Sequence, residues 1–439
     1  MNTLLSEILN AREARASRQR ELLRVYRCPV VCFTMNIAGP VKASPLIRRA
    51  FETGLAALED GLRPYRIHSR EVIHEITGDE AIFCVDAGAS ELKAICTGIE
   101  ESFPMGRLFD MDVLDLQGQK LERSLQRCCL VCGKPGRSCA AGRLHSVESL
   151  QEATKKLITA HFDGADAERI GAAAVDALLE EVRTTPKPGL VDLRNQGSHR
   201  DMDAALFAIS AKALKPYFTQ CAAIGQDNAD LPPEQTFPML RNAGRKAETV
   251  MFEATGGINT HKGAIYTLGI LCAAFGRLWH SGKVTPGAET VLNLCAAIAG
   301  DAAKADLNDA EADTAGLRLY RELGITGIRG EMARGLPSLG EIALPVFRSA
   351  CEGGHSRNDA GVLALLHLIA RVQDTNLYHR GGKSGAEFAA ASVRSLLEGC
   401  AKPDIAQIEA LDDAFIARNL SPGGCADLLA ATYFLDKLL

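Results

Sequence analysis

The strongest constraint on this chain is a change of hydrophobic period partway along it. Over the first 160 or so residues, helical segments alternate with short apolar runs of strand length. Beyond about residue 165 the segments repeat their apolar residues at helical spacing and none reads convincingly as a strand. A 3.6-residue repeat cannot sit as a strand, whose faces alternate at every residue. The expectation is two domains: an N-terminal α+β domain over 1–160, then a larger all-α domain over 165–439. The charged, Gly/Ala-bearing seam His161-Phe-Asp-Gly-Ala-Asp166 marks the boundary.

In the first part, a basic amphipathic helix over 3–27 precedes a strand at Pro29–Ile37 that ends at Gly39-Pro40. A helix over 44–62, strands at Arg66–Ile73 and Ala81–Val85, a helix at Ala89–Glu100 and a strand at Met105–Leu114 follow. Asp110 and Asp112 stand two apart on that last strand and so face one side. Such a carboxylate pair suits Mg²⁺ in phosphoryl or nucleotidyl transfer; the alternative is an idle, solvated strand face. Next, Cys129, Cys132, Cys139 and His145 form a C-x2-C-x6-C-x5-H pattern. Three thiolates and an imidazole suit tetrahedral Zn²⁺; the alternative is a loop of reduced cysteines without metal.

Helical segments in the second part fall at about 165–183, 201–220, 236–253, 260–280, 286–299, 309–323, 339–353, 357–372, 384–400, 404–419 and 424–438. Polar residues concentrate at their joints. Thr255-Gly-Gly-Ile-Asn-Thr-His-Lys-Gly263 sets glycines around Asn259, Thr260, His261 and Lys262 and lacks Walker A spacing. It reads either as a ligand loop or as a capped helix start, with Asn259 or Thr260 as the cap. Pro186–Asp203 is a long loop rich in Asp192, Arg194, Asn195 and His199, with Ser198 a candidate helix cap. Arg329-Gly-Glu331, Asp374-Thr-Asn376 through Arg380, and Ser421–Asp427 complete the set. Each alone is ordinary turn chemistry, but five in one helical domain argue for a shared polar cleft.

Bulk properties narrow the partners. The net charge of −5 gives no footprint for nucleic acid, and no apolar run reaches membrane-spanning length. Fourteen cysteines without a signal-like N-terminal apolar stretch lead us to expect reduced thiols and a cytoplasmic location.

Two resemblances make these patterns concrete. Ala38-x-Pro40-x-Lys42, the string Gly106-Arg-Leu-Phe-Asp-Met-Asp-Val113 and the following cysteines resemble the citrate lyase holo-acyl-carrier-protein synthase family over about 15–155. That resemblance implies Mg²⁺ at Asp110 and Asp112, phosphates on Arg107 and Lys42, and the acyl carrier protein (gamma subunit) of citrate lyase as partner. Pro186-Lys-Pro-Gly-Leu-Val-Asp192, Gly197-x-His-x-Asp-Met202, Asn259-Thr-His-Lys-Gly263, Gly324–Glu331, Asp374-Thr-Asn376 and Ser421–Leu429 resemble the triphosphoribosyl-dephospho-CoA synthase family over 165–439. It implies ATP and 3′-dephospho-CoA as substrates, with adenine released. The product of the second half would then be the substrate of the first. The alternative is precursor synthesis for malonate decarboxylase, with the N-terminal domain a zinc-stabilised interaction module, and the citrate-lyase-type N-terminal strings argue against it.

The implied chemistry assigns expected roles. Carboxylates Asp192, Glu248, Glu331, Asp374 and Asp427 supply a base and Mg²⁺ ligands, Glu331 being the metal candidate. His199 or His261 would protonate adenine, or else serve as structural hydrogen-bonding histidines. Lys187, Lys262, Arg329 and Arg380 would hold the triphosphate, with Asn259 and His261 near the ribose and Asn376 among the substrate-binding residues.

Overall fold

The computed structural model describes residues 2–123, 126–308, 315–399 and 403–439. It divides into two compact units, Met1–Asp163 with His280–Lys283, and Gly164–Trp279 with Val284–Leu439.

The first unit contains α1 (Asn2–Tyr26), β1 (Val30–Met35), α2 (Pro45–Leu62), β2 (Arg66–Glu75), β3 (Gly78–Asp86), α3 (Ala89–Ser102), β4 (Phe109–Leu114) and α4 (Gly136–Gly142). Its sheet has the order β2-β3-β1-β4, antiparallel throughout, which leaves β4 at an edge. Strand alternation sorts the faces. Val31, Phe33, Phe83, Phe109, Met111 and Val113 form one core with Phe51 and Leu58 of α2 and Leu92 of α3. The opposite face sets Val30, Cys32, Ile82 and Cys84 against Leu22 of α1. Register pairs Thr34 with Asp110 and Cys32 with Asp112, so both carboxylates lie on the α1 face. The strand expected from Met105 begins at Phe109, because Gly106–Leu108 form a 3-10 turn first.

Helix α5 (Val147–Arg183) runs through the 161–166 seam without a break. Ala165 suits a helix, and a lone Gly164 costs only about 1 kcal/mol there, too little to break a helix of this length.

The second unit continues with α6 (Ala204–Ala213), α7 (Lys215–Asp227), α8 (Phe237–Thr255), α9 (Lys262–His280), α10 (Ala288–Leu307), α11 (Ala315–Leu323) and α12 (Gly327–Ala333). It ends with α13 (Leu344–Glu352), α14 (Arg357–Arg371), α15 (Thr375–Gly399), α16 (Ile405–Ala417) and α17 (Gly423–Leu438). Among the described residues it has no strand. The single helix expected over 201–220 is two, broken at Leu214, where Pro216 supplies no N–H to continue the ladder. Gly382 (φ 62°, ψ −168°) kinks α15 before the helix expected at 384–400. Residues 309–314 and 400, the ends of two expected helices, lie outside the described residues. Helix α9 is buried on nearly all sides from Ala264 to Trp279, the mark of a central helix. The Asn-Thr-His-Lys segment therefore sits at the N-terminus of the core helix. No helix among the described residues is long and apolar enough to cross a membrane.

Candidate functional site

A cavity of about 1340 Å³ opens in the helical unit. That exceeds the usual size of a pocket for one small ligand. Its wall includes Glu181, His199, Glu248, Asn259, His261, Lys262, Arg329, Glu331, Asp374, Asn376, Arg380 and Asp427. The first residues of α9, α15 and α17 all contribute. Helix N-termini present unpaired N–H groups and the positive end of the dipole, so negative charge gathers there.

Two carboxylates occupy those ends. Asp374 Oδ1 accepts from the Asn376 and Leu377 amides at 2.8 and 3.2 Å, and its Oδ2 accepts from the Cys425 amide at 2.8 Å. It thereby ties the starts of α15 and α17 together. Asp427 lies against Gly263, where an added Cβ would come within 1.8 Å of Oδ2. Burial, then the neighbouring Glu181 and Asp374, hold the Asp427 carboxyl well above the usual carboxylate range. The three loop glycines therefore differ in purpose. Gly256 (φ 67°) and Gly257 (φ 91°) terminate α8 and face open space, whereas Gly263 admits a carboxylate. Asn259 Oδ1 caps α9 at the Lys262 amide, 3.3 Å away.

Several expected site residues are already engaged by neighbours, and two of them, Asp192 and Lys187, lie off the cavity wall. Asp192 does not line the cavity; Oδ2 accepts from Thr185 Oγ1 and the Lys187 amide, each at 2.9 Å, and Oδ1 from the Arg194 and Asn195 amides at 2.7 and 3.0 Å. With its oxygens so engaged, Asp192 shapes the loop. Lys187 is fully buried, with Nζ on the Glu181 carboxylate and, at 2.7 Å, on the Glu181 carbonyl. Both Glu331 oxygens serve the turn after α12, one on the Ser338 amide at 3.0 Å and the other on Arg334 at 3.2 Å. Arg380 donates to the Asn419 carbonyl and side chain at 3.1 and 2.7 Å and to the Ser198 carbonyl. Asp203, not Ser198, caps α6; Ser198 donates to the Leu420 carbonyl at 2.6 Å. Lys262 meets Glu248 at 3.0 Å, and Arg329 lies 3.7 Å from Asp306.

His199 and His261 are both held below the ordinary imidazole range, which favours their neutral forms. Burial, with Lys187 adding to it, pushes His261 down to about 3, and its Nδ1 contacts Ser210 Oγ at 2.8 Å. His199 is lowered by burial and by Arg380; its Nε2 meets Ser421 Oγ at 3.0 Å. A neutral imidazole is a weak proton donor, which weakens the expected acid role for both.

In the first unit, Asp110 and Asp112 share one half-buried face of the edge strand β4, their side chains 43% and 27% exposed. Burial and the Asp112 charge raise Asp110. Lys120 pairs with Asp112 at 2.5 Å, and Arg127 approaches Asp110 at 3.8 Å. Arg107 donates to the Cys128 carbonyl, and Lys42 turns its ammonium back onto the Ile37 carbonyl. The ligand atoms of Cys129, Cys132, Cys139 and His145 lie within 4.8 Å of one another, a set that could hold a metal ion.

Glu181 and Arg127 were missed. Glu181 interrupts an apolar helix face, the visible sign of a buried charge with a partner. Arg127 carries no local signal, since its partners Glu100 and Asp110 are distant in sequence.

Comparisons with known proteins agree with this division. A family model for ATP:dephospho-CoA triphosphoribosyl transferase matches residues 167–439. A second, for apo-citrate lyase phosphoribosyl-dephospho-CoA transferase, matches residues 3–161. The chain is 37% identical to Protein CitXG of Haemophilus influenzae, across 98% of this chain and 95% of the relative. It is 32% identical to Protein CitXG of Leuconostoc mesenteroides subsp. cremoris, across 99% and 97%. To 2-(5''-triphosphoribosyl)-3'-dephosphocoenzyme-A synthase of Haemophilus ducreyi it is 36% identical, across 70% and 99%. A helical unit with a cavity of about 1340 Å³ and a small sheet unit thus carry separate matches, and the chain belongs to both families, as a bifunctional transferase that makes the citrate lyase prosthetic-group precursor and attaches it.

Proposed function

We propose that the helical cavity holds MgATP and 3′-dephospho-CoA together, with Asp427 as the base. The observation that carries this reading is Asp427 itself: a carboxylate seated against Gly263 at the start of the core helix, facing the cavity beside Glu181 and Asp374. A carboxylate raised above its ordinary range accepts a proton more readily. Asp427 takes the proton of the dephospho-CoA ribose 2′-hydroxyl as its oxygen attacks C1 of the ATP ribose. The C1–N9 bond breaks, and adenine leaves with the electron pair and takes up one proton, which balances the proton Asp427 removed. Lys262 and Arg329 bind triphosphate oxygens, Asn259 and Asn376 line the ribose, and neutral His199 and His261 orient groups by hydrogen bonds. Asp374 holds two helix starts in place, and Glu331, with both oxygens engaged, fits a metal poorly.

The sheet unit then moves the phosphoribosyl-dephospho-CoA group to a serine of the citrate lyase carrier (gamma) subunit, releasing pyrophosphate. Asp110 and Asp112 fit Mg²⁺: two hard oxygen donors share one strand face, and their mutual repulsion is relieved by a cation. When bound, that ion would neutralise the pyrophosphate leaving group. Arg107 and Arg127 bind phosphate oxygens at its flank. The exposed Arg12, Arg20 and Arg24 of α1 attract an acidic carrier, while Arg15 and Arg18 are held by Glu80 and keep α1 on the sheet. Reduced thiols and these substrates fit a cytoplasmic enzyme.

Incubation of the full chain with ATP, Mg²⁺ and 3′-dephospho-CoA tests the first step by adenine release. Release that disappears in Asp427→Asn supports it; release at an unchanged rate in that variant removes Asp427 from the chemistry.

A further inference from the structure

We infer that Cys129, Cys132, Cys139 and His145 bind one Zn²⁺, and that this ion clamps the loop that presents Arg107 and Arg127 to the Asp110 face. The inference rests on the transferase reading of the sheet unit and adds to it a structural metal and a reason for that metal.

The geometry fits a four-ligand site, with the ligand atoms of all four residues within 4.8 Å of one another. Cys132 Sγ lies 3.5 Å from Cys139 Sγ and 3.3 Å from His145 Nε2. Ligands at zinc distances sit about 3.5–3.8 Å apart across a tetrahedron, whereas a disulfide brings sulfurs to about 2.05 Å. All three cysteines are free thiols. The backbone is folded to aim them. Cys129 and Gly133 close a tight turn, the Cys129 amide on the Lys134 carbonyl at 2.6 Å and the Gly133 amide on the Cys129 carbonyl at 3.0 Å. Cys139 rides on α4, and the Leu144 amide returns to the Cys139 carbonyl at 3.1 Å, bringing His145 back. Apolar packing does not explain the convergence. Cys132 is exposed, as are most residues of 131–146, yet four soft and imidazole donors meet at one point.

The same turns hold the arginines. Arg107 Nε donates to the carbonyl of Cys128, the residue next to the first ligand. The Gly136 amide donates to the Arg127 carbonyl at 2.8 Å, and Cys128 bridges Pro135 across the knuckle. Arg127 in turn reaches the Glu100 and Asp110 carboxylates. Arg107, Cys129, Cys139 and His145 share the wall of one cavity of about 550 Å³. Two guanidiniums beside each other repel; Arg107 is held by the Cys128 carbonyl of the knuckle, and Arg127 by the Glu100 and Asp110 carboxylates while its backbone carbonyl is fixed by the Gly136 amide. Four protein ligands leave no open coordination position, so the ion positions residues and does no chemistry itself.

Metal analysis of the full chain is the first test, with about one Zn²⁺ per chain expected and retained through dialysis. Cys132→Ser should lose the ion, and transfer from preformed precursor should fall roughly 10- to 100-fold, chiefly as a higher KM for the precursor. Cys132→His should regain both zinc and transfer. Adenine release, made by the other unit of the same chain, should be unchanged in both variants and shows that each has folded. Chelation and re-addition of Zn²⁺ to the unmutated chain should reverse the loss of transfer. A chain that neither contains nor takes up Zn²⁺ overturns the site. Zinc-free protein with an unchanged KM and rate overturns the clamp. Absence of transfer by the unmutated, zinc-loaded chain instead refutes the transferase reading and leaves the zinc count intact.

Discussion

The two carboxylate centres of this chain are built in opposite ways. Asp110 and Asp112 stand on an edge strand with side chains 43% and 27% exposed. Asp374 is 3% exposed, sealed among helix N-termini, and Asp427 sits beside it at the wall of a closed-in cavity. An edge-strand face would leave room for a folded protein to bring a serine to a Mg²⁺ held as proposed. A cavity excludes water from an oxocarbenium-like centre that water would otherwise capture. The contrast follows from the neighbours that set each pKa. Asp110 is raised by burial and one partner carboxylate, with Arg127 and Lys120 opposing. Asp427 is raised by burial and two carboxylates, relieved by the Ala264 amide.

If the centres are independent, substitutions should separate them. Asp427→Asn should lower adenine release on the order of 10²- to 10⁴-fold, the usual loss of a general base, and leave transfer from preformed precursor intact. Asp110→Asn should do the reverse, with transfer down on the order of 10²- to 10³-fold in a pyrophosphate assay and adenine release intact. Equal loss of both activities in either variant would erase the distinction.

The glycines sharpen it further. Gly263→Ala drives a methyl into the Asp427 carboxylate and should cost about 1–3 kcal/mol in thermal unfolding along with adenine release. Gly256→Ala meets only open space and a positive φ, so about 1–2 kcal/mol without a matching loss of activity is expected.

A pH series probes the buried end. The pKa of His261 is depressed on folding, so the unfolded chain binds more protons. Its contribution is complete above about pH 6.5 and is lost as pH falls toward about 3. Relative to His261→Gln, the unmutated chain should lose about 2 kcal/mol of stability between pH 7 and pH 5 in denaturant titrations. A parallel pH dependence in the two proteins would show that His261 is not held neutral. The smallest effect belongs to the open centre: Arg12→Glu with Arg20→Glu should slow carrier modification several-fold at low salt and little at high salt. Transfer kinetics without that salt dependence would remove α1 from the docking surface.

Much of this was legible in the sequence because period and alternation are local. The carboxylates of β4 occupy alternate positions of an apolar strand, and α9 is apolar on every side immediately after Lys262. What was not legible is which lone pairs are already in use. Asp192 and Asp427 look alike as carboxylates at helix joints, yet the first spends its oxygens on four donors within its own loop while the second faces the cavity. Lys187 looks like a phosphate ligand until Glu181, six residues earlier on α5, is seen to bury it. Pairings that depend on how a loop folds back leave no periodic trace.

The most direct measurement mixes two inactive chains. Asp427→Asn and Asp110→Asn proteins, each unable to modify apo-citrate lyase carrier from ATP and 3′-dephospho-CoA alone, are combined in one reaction. Restored modification, with adenine formed by the Asp110→Asn chain and pyrophosphate by the Asp427→Asn chain, is the expected result. A mixture in which both variants lack adenine release, or both lack transfer of preformed precursor, would contradict two separate centres.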